Sequence, residues 1–383
     1  MSDTPAPAAA PEIKRGLDGV VVDTTAVSKV MPDINALVYR GYPVQDLAEK
    51  CTFEEVAYLL WHDDLPTKSQ LDAFVKQERS LRNISPELKK SIELYPKKAH
   101  PMDTIRTAVS FMGMEDAKMW DRDPASNLEK AMKILAKVPT CIAYDYRCRK
   151  GLKPIDPKPE LSMAENFFHM CFGEVPHKDI VKAFDVSLTL YAEHSFNAST
   201  FTARVVTSTM ADIYGAITAG IASLKGPLHG GANEEVMYML KEVNDPAKAE
   251  AWMLDAIAQK KKIMGFGHRV YKRGDSRAPT MNKYGKLVAQ LKNEPKWHAI
   301  SEILEKTMIR EKNIHPNLDF PAGPAYFLMG FDIDMFTPIF VMSRVTGWSA
   351  HIFEQTANNR LIRPLSQYTG LGERKVETLA ERA

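Results

Sequence analysis

The stretch NLEKAMKILAKV, residues 127–138, places Leu128, Ala131, Met132, Leu135 and Val138 at spacings of three and four. That period gathers the five side chains on one side of an α-helix, so the segment reads as a helix with one face in a core. Pro139 follows, and a proline lacks the N–H that an interior turn needs, so the helix is expected to bend or end there. FEEVAYLLWHDDL, residues 53–65, repeats the pattern through Phe53, Val56, Leu59 and Leu60, with His62 near the edge of the face. Sustained alternation of apolar and polar residues, the mark of a half-buried strand, is scarce. The chain reads as all-α.

Residues 195–224, SFNASTFTARVVTSTMADIYGAITAGIASL, are packed with Ala, Ser, Thr and Gly and carry the small pairs Gly215/Ala219 and Ala216/Gly220. Small side chains let helices approach closely, which marks a central helix or helix pair. Arg204, Asp212 and the many hydroxyls argue against a membrane span. The stretch serves either a tightly packed core or a subunit interface, and its composition slightly favours the core.

The 383 residues suffice for a large core and two domains. Hydrophobic residues at 45% and charged residues at 26% match a soluble globular chain. Fifty Lys and Arg against forty-eight Asp and Glu leave a formal charge of +2. No broad basic face for nucleic acid follows, so any anion site must be local. Cys51, Cys141, Cys148 and Cys171 form no CxxC pair and read as reduced cytosolic thiols. The N-terminal SDTPAPAAAPEIKR reads as a mobile tail rather than a signal peptide. No segment reaches the roughly 18 to 20 uninterrupted apolar residues of a membrane span. The cytoplasm is the expected location.

Three Gly- or Pro-rich stretches interrupt the helical pattern and read as loops: KGPLHGGANEEV (225–236), GFGHRVYKRGDSR (265–277) and HPNLDFPAGPAY (315–326). Each offers an ionisable side chain, His229, His268 and Asp319 in turn, and loops on rigid helices are where catalytic groups concentrate. In the middle one, flanking glycines let a ligand approach His268 closely, and Arg277 supplies a planar fork for a carboxylate. That pairing points to a small keto acid. His194, in AEHSFNAST at the start of the small-residue segment, adds a further histidine. Any one of ten histidines is weak evidence alone. As a set they could do more. A carboxylate withdrawn from water can remove a proton from carbon. One neutral histidine can hydrogen-bond the enolate oxygen that develops, and a second can polarise an acceptor carbonyl. Arg277, with Arg344 and Arg363, would anchor the acceptor's carboxylates, although scattered arginines more often cap helices or face solvent.

These three segments, in this order and followed by SRVTGW and LIRPL, resemble the citrate synthase family, including its 2-methylcitrate synthases, over essentially the whole chain after the N-terminal tail. The resemblance implies a large helical domain, residues 1–228 plus 325–383 with 1–12 a mobile tail, and a smaller helical domain, 229–324, inserted in it. It implies that Asp319 takes the α-proton of an acyl-CoA, that His229 hydrogen-bonds the thioester oxygen, and that His268 polarises the ketone of oxaloacetate. Hydrolysis of the condensed thioester then releases CoA. His194, Arg277, Arg344 and Arg363 would hold oxaloacetate, with Arg363 reaching in from the second subunit of a homodimer. CoA would run along Ile263, Met264, Gly265 and Gly267, with Lys272 near phosphate and Asn317 near the thioester. Acyl-CoA is a substrate here, and neither cofactor nor metal is expected. The chain is short for the extra N-terminal region of the NADH-regulated hexameric members, so a simple homodimer is the expected form.

After Asp319 the sequence runs Phe320, Pro321, Ala322, Gly323, where many family members carry an aromatic residue and a serine before the glycine. A smaller, stiffer loop leaves room for an extra methyl group, or Pro321 and Ala322 merely stiffen it. The overall likeness is closest to bacterial 2-methylcitrate synthases, which implies action on propionyl-CoA together with acetyl-CoA. One methylene in an apolar pocket discriminates by only about 1–3 kcal/mol, so dual use is physically easy. A citrate synthase of the tricarboxylic acid cycle is the alternative. A metal-dependent hydrolase built on the same histidines lacks any close ligand pair such as HExxH, and the neighbouring arginines would repel a cation. A non-catalytic helical scaffold gives no reason for three loops that each present an ionisable group.

Overall fold

The computed structural model describes residues 13–268, 270–271 and 274–382; the segment 1–12 and Lys272 lie outside the described residues. Sixteen α-helices dominate it. Local sequence starts many of them. Thr52, Thr67 and Ser162 form reciprocal capping boxes with Glu55, Gln70 and Glu165, each cap contributing about 0.5–2 kcal/mol. The first ends at His62, three residues short of the expected limit, because Asp63 turns into the left-handed region at φ 70°.

The helix predicted around residues 127–138 runs Pro124–Arg149, starting from Asp123 as N-cap. Pro139 lies inside it and does not end it, which corrects one of the two outcomes expected for that position. A missing N–H and a steric clash cost about 3 kcal/mol in a helix interior. The buried run Ile134, Leu135, Val138, Cys141 and Ile142 offsets this, since each large apolar side chain contributes about 1.5–3 kcal/mol.

Residues 195–224 form a helix pair, Ala198–Ser208 and Ile213–Leu224, packed on each other. Asn197 caps the first by accepting from Thr200 N–H (3.1 Å), and Asp212 caps the second by accepting from Gly215 N–H (2.9 Å). Ala216 and Gly220 are buried, and a Cβ on Gly220 would lie 3.1 Å from the indole of Trp348 in the Phe336–Ala357 helix. This face serves the core. Gly215 and Ala219 lie half-buried.

The sequence pattern did not reveal a small antiparallel sheet, β1 (Ser28–Met31), β2 (Ala36–Tyr39) and β3 (Tyr42–Pro43), in the order β1-β2-β3. Strands of four, four and two residues are too short for alternation to declare itself. Ser28 pairs with Tyr39 across the first two.

An aromatic cluster fixes the relation of the elements that carry the site. Phe168 packs on Phe184 (centroids 5.1 Å) and Phe331 (5.2 Å), and Phe184 meets Tyr326 edge-on (6.2 Å). Such pairs contribute about 0.5–1.5 kcal/mol each beyond area burial. They bind the helices Met163–Phe172, Lys178–Tyr191 and Asp319–Met329 together. Among the described residues no single helix is long and apolar enough to cross a membrane.

Candidate active site

His229 sits in the turn between Ile213–Leu224 and Ala232–Val243, where its N–H donates to Gly226 O (2.9 Å). The GFGH segment is held by the segment before Asp319. Gly267 N–H donates to His315 O (2.8 Å), Asn317 N–H to Gly265 O (2.9 Å) and Asn317 Nδ2 to Gly267 O (3.0 Å). Two of the expected CoA contacts, Gly267 and Asn317, therefore bond to one another, and Ile263 and Met264 lead into them half-buried. Gly265 adopts φ 82°, and a Cβ there would lie 2.5 Å from Val236.

Asp319 is not in a loop. It opens the Asp319–Met329 helix, its N–H donating to Asn317 Oδ1 (3.1 Å). Phe320, Pro321, Ala322 and Gly323 form the first turn, where proline is tolerated. Both readings of 320–323 as a loop are thereby corrected. Phe320 packs on Phe266 (4.5 Å), and Gly323 admits the neighbouring helix, since a Cβ would meet Asn233 O at 2.9 Å.

Backbone donors decide the tautomers of the two loop histidines. Ser199 N–H donates to His229 Nε2 (3.3 Å), and the Ser199 hydroxyl lies 2.7 Å from the same atom. With Nε2 an acceptor, the ring proton of neutral His229 is on Nδ1. His268 is the reverse. Its Nδ1 accepts from Val270 N–H (3.0 Å) and Tyr271 N–H (3.2 Å), which leaves the proton on Nε2. Burial, reinforced by Arg344, pushes His229 down to about 3, and burial pushes His268 down to about 4. Both are neutral hydrogen-bond donors at physiological pH.

The Asp319 carboxylate accepts from the Tyr191 hydroxyl (2.7 Å). Withdrawal from water lifts its pKa to about 6, against the opposing pull of Tyr191 and Arg277. A carboxylate so tuned is ionised near neutrality yet more basic than an exposed one.

Two arginines complete the cluster. Arg277 grips Asp275 through Nε (2.9 Å) and Nη2 (2.6 Å) and donates from Nη1 to Leu190 O (3.2 Å). Asp275 also accepts from Leu318 N–H (3.2 Å), tying that arginine to the start of the Asp319 helix. Arg344 donates from Nε to Tyr191 O (2.7 Å) and lies over Phe340 (4.7 Å), while its buried Nη1 has no partner. Burial lowers its pKa to about 10. His194 is buried, 5.0 Å centroid to centroid from His268, and its Nε2 is also unpartnered. An unsatisfied buried guanidinium N–H of the Arg344 kind suits a small anion.

Phe340 joins the parts, packing on Tyr191 (4.2 Å) and His229 (6.3 Å). The structure thus brings together His194, His229, His268, Arg277, Asp319 and Arg344. Arg363 is exposed in the C-terminal segment beyond the last long helix and joins no contact of this cluster. Sequence reading missed Tyr191, Ser199 and Asp275. Asp275, two residues before Arg277 in GDSR, carried a signal in its position; Tyr191 and Ser199 carried none beyond nearness to His194.

An all-α scaffold that presents two neutral imidazoles of opposite tautomer, a buried carboxylate and two arginines defines a site for carbon-acid chemistry on an anionic carbonyl compound. A family model for the C-terminal domain of citrate synthase matches residues 16–365. The chain is 55% identical over 364 residues to a 2-methylcitrate synthase of Mycobacterium tuberculosis, covering 95% of this chain and 92% of that one. It is also 55% identical over 368 residues to a citrate synthase of Mycolicibacterium smegmatis, at 96% and 98% coverage. A solved ternary complex of carboxymethyl coenzyme A and oxaloacetate with the citrate synthase of Thermoplasma acidophilum superimposes with a TM-score of 0.92 at 34% identity, covering 97% of this chain and 100% of that one. The chain belongs to the citrate synthase family.

Proposed function

We propose that the protein condenses propionyl-CoA with oxaloacetate and water to give 2-methylcitrate and CoA, and acetyl-CoA likewise to give citrate. The observation that carries this reading is the pair of opposed histidine tautomers in one buried cluster with a carboxylate poised near pH 6. Asp319 takes the α-proton of the thioester. His229 Nδ1–H donates to the enolate oxygen as charge develops there. His268 Nε2–H polarises the ketone of oxaloacetate, whose carboxylates lie on Arg277, Arg344 and His194. The α-carbon attacks the ketone carbon, and water then cleaves the thioester to release CoA. The identity to relatives named for both activities supports the substrate pair.

In this reading CoA follows Ile263, Met264, Gly265 and Gly267 toward Asn317, with Lys272 at phosphate, and no resident cofactor or metal takes part. Residues 229–324 act as the small domain that closes the cleft. The functional unit is a cytoplasmic homodimer in which Arg363 of a second subunit completes the oxaloacetate site, in keeping with its exposure in the single chain. The half-buried Gly215 and Ala219 lie at that contact in this reading.

Free-thiol release with oxaloacetate, measured across concentrations of each acyl-CoA, tests the reading. Higher kcat/KM with propionyl-CoA is expected; a clear preference for acetyl-CoA would assign a citrate synthase, and no thiol release would remove the condensing activity. The pH profile gives a second check. Because only ionised Asp319 accepts a proton, kcat/KM should rise with pH through about 6 and level off above it, both histidines being neutral already. A profile still climbing steeply at pH 8 would point to another base.

A further inference from the structure

His194 lies in the turn between Lys178–Tyr191 and Ala198–Ser208. The residue after it, Ser195, has φ 52°, a left-handed conformation that is costly for a residue with a Cβ and persists only when its surroundings enforce it. One hydroxyl supplies much of that enforcement. Ser28 Oγ, in β1, donates to Glu193 Oε1 (2.9 Å) and accepts from Ser195 N–H (2.9 Å). It therefore bonds both chain neighbours of His194 while leaving His194 itself untouched.

Tyr39, the partner of Ser28 across β1 and β2, works on the same turn. Its hydroxyl donates to Glu193 O (2.9 Å) and accepts from Glu193 N–H (3.3 Å). The far side of the turn rests on the Phe336–Ala357 helix, where His351 Nε2 lies 2.8 Å from Glu193 Oε1. There is no slack there: a Cβ on Gly347 would lie 2.3 Å from Glu193 Oε2 and 2.4 Å from Ala192 O. Ser28 and Tyr39 are both buried, so these bonds do not compete with solvent. The small N-terminal sheet, whose first two strands supply both hydroxyls, spends them on a turn more than 150 residues away in sequence.

The geometry points to Ser28 as a positioning residue for His194: together with Tyr39 it clamps residues 193–195 and sets the angle at which the His194 ring meets the keto acid. The assignment rests on the reading of His194 as an oxaloacetate ligand. Neither hydroxyl touches the reacting atoms, so their loss should be felt in keto-acid binding and not in proton transfer from the thioester.

Thiol release by the full-length wild type, Ser28→Ala and Tyr39→Phe, with oxaloacetate and acyl-CoA each varied, tests it. Ser28→Ala should raise KM for oxaloacetate about fivefold, the size of one net hydrogen bond, while kcat and KM for acyl-CoA stay within about twofold of wild type. Tyr39→Phe should shift the same constant in the same direction. If Ser28→Ala leaves KM for oxaloacetate unchanged, or raises both KM values together as general loosening would, the inference is overturned while the wild-type activity stands. A wild type that releases no thiol defeats the functional reading itself, and this inference falls with it.

Discussion

Asp319→Asn should lower kcat by a factor on the order of 10³, within the range for loss of a positioned general base, and should leave the fold intact. Asparagine keeps the shape of the side chain and an oxygen that can accept from Tyr191, whose hydroxyl lies 2.7 Å from the native carboxylate. It cannot take a proton from carbon. The same substitution makes an unusual stability prediction. Burial raises the folded-state pKa of Asp319 from 3.8 to about 6, so the folded protein holds this proton more tightly than the unfolded chain. The stability contributed by that group is full below the unfolded value and is lost as pH rises through about 6. An asparagine loses nothing over that range. The variant's Tm should therefore exceed that of wild type at pH 8, and the gap should close toward pH 4. Near-normal turnover in Asp319→Asn, or a Tm deficit at pH 8, would count against Asp319 as the buried base.

The two histidines should respond in a crossed pattern. The amide nitrogen of asparagine falls near the position of histidine Nδ1, and that of glutamine near Nε2. His229 has its proton on Nδ1 because Ser199 N–H occupies Nε2; His268 has its proton on Nε2 because Val270 and Tyr271 N–H groups occupy Nδ1. Hence His229→Asn should stay within about tenfold of wild-type kcat, whereas His229→Gln should lose about 10²–10³, the scale of one oxyanion-type donor. At His268 the order should invert, with glutamine the milder change. Equal losses at both positions would show that the backbone bonds do not set the donor atoms. Thiol-release kinetics on four variants decides it.

Much of this was legible from the chain. The helical periods at 53–62 and 127–138 depend on spacing alone and survive in the fold. His229, His268 and Arg277 stand out because glycine and proline punctuate their surroundings, and Asp319 because it stands in the third such stretch. What stayed hidden depends on distance in space. The β1 and β2 strands are too short to show a period, and Pro139 reads as a bend or an end of its helix until its tertiary burial is known. Asp319 reads as a loop residue because Pro321, Gly323 and Pro324 suggest breaks; in the fold all three lie within the Asp319–Met329 helix, with Phe320 packed on Phe266 and Gly323 close to Asn233 O. Tyr191 carries no signal of its own in the sequence, and only the folded chain lays its hydroxyl against Asp319.

Asp275 holds Arg277 with both oxygens and at the same time accepts the N–H of Leu318, one residue ahead of Asp319. In the proposed reading a single carboxylate thus sets the location of the keto-acid anchor and of the proton acceptor. Such sharing constrains how a lineage built on this scaffold can diversify. Mutations that refit the anchor to a different keto acid would displace the base as well, and selection would remove them. Variation that leaves Asp275 and its two partners alone escapes this constraint, so on the proposed reading descendants of an enzyme like this one should drift in the length of the acyl chain they accept long before they change the acid to which it is joined.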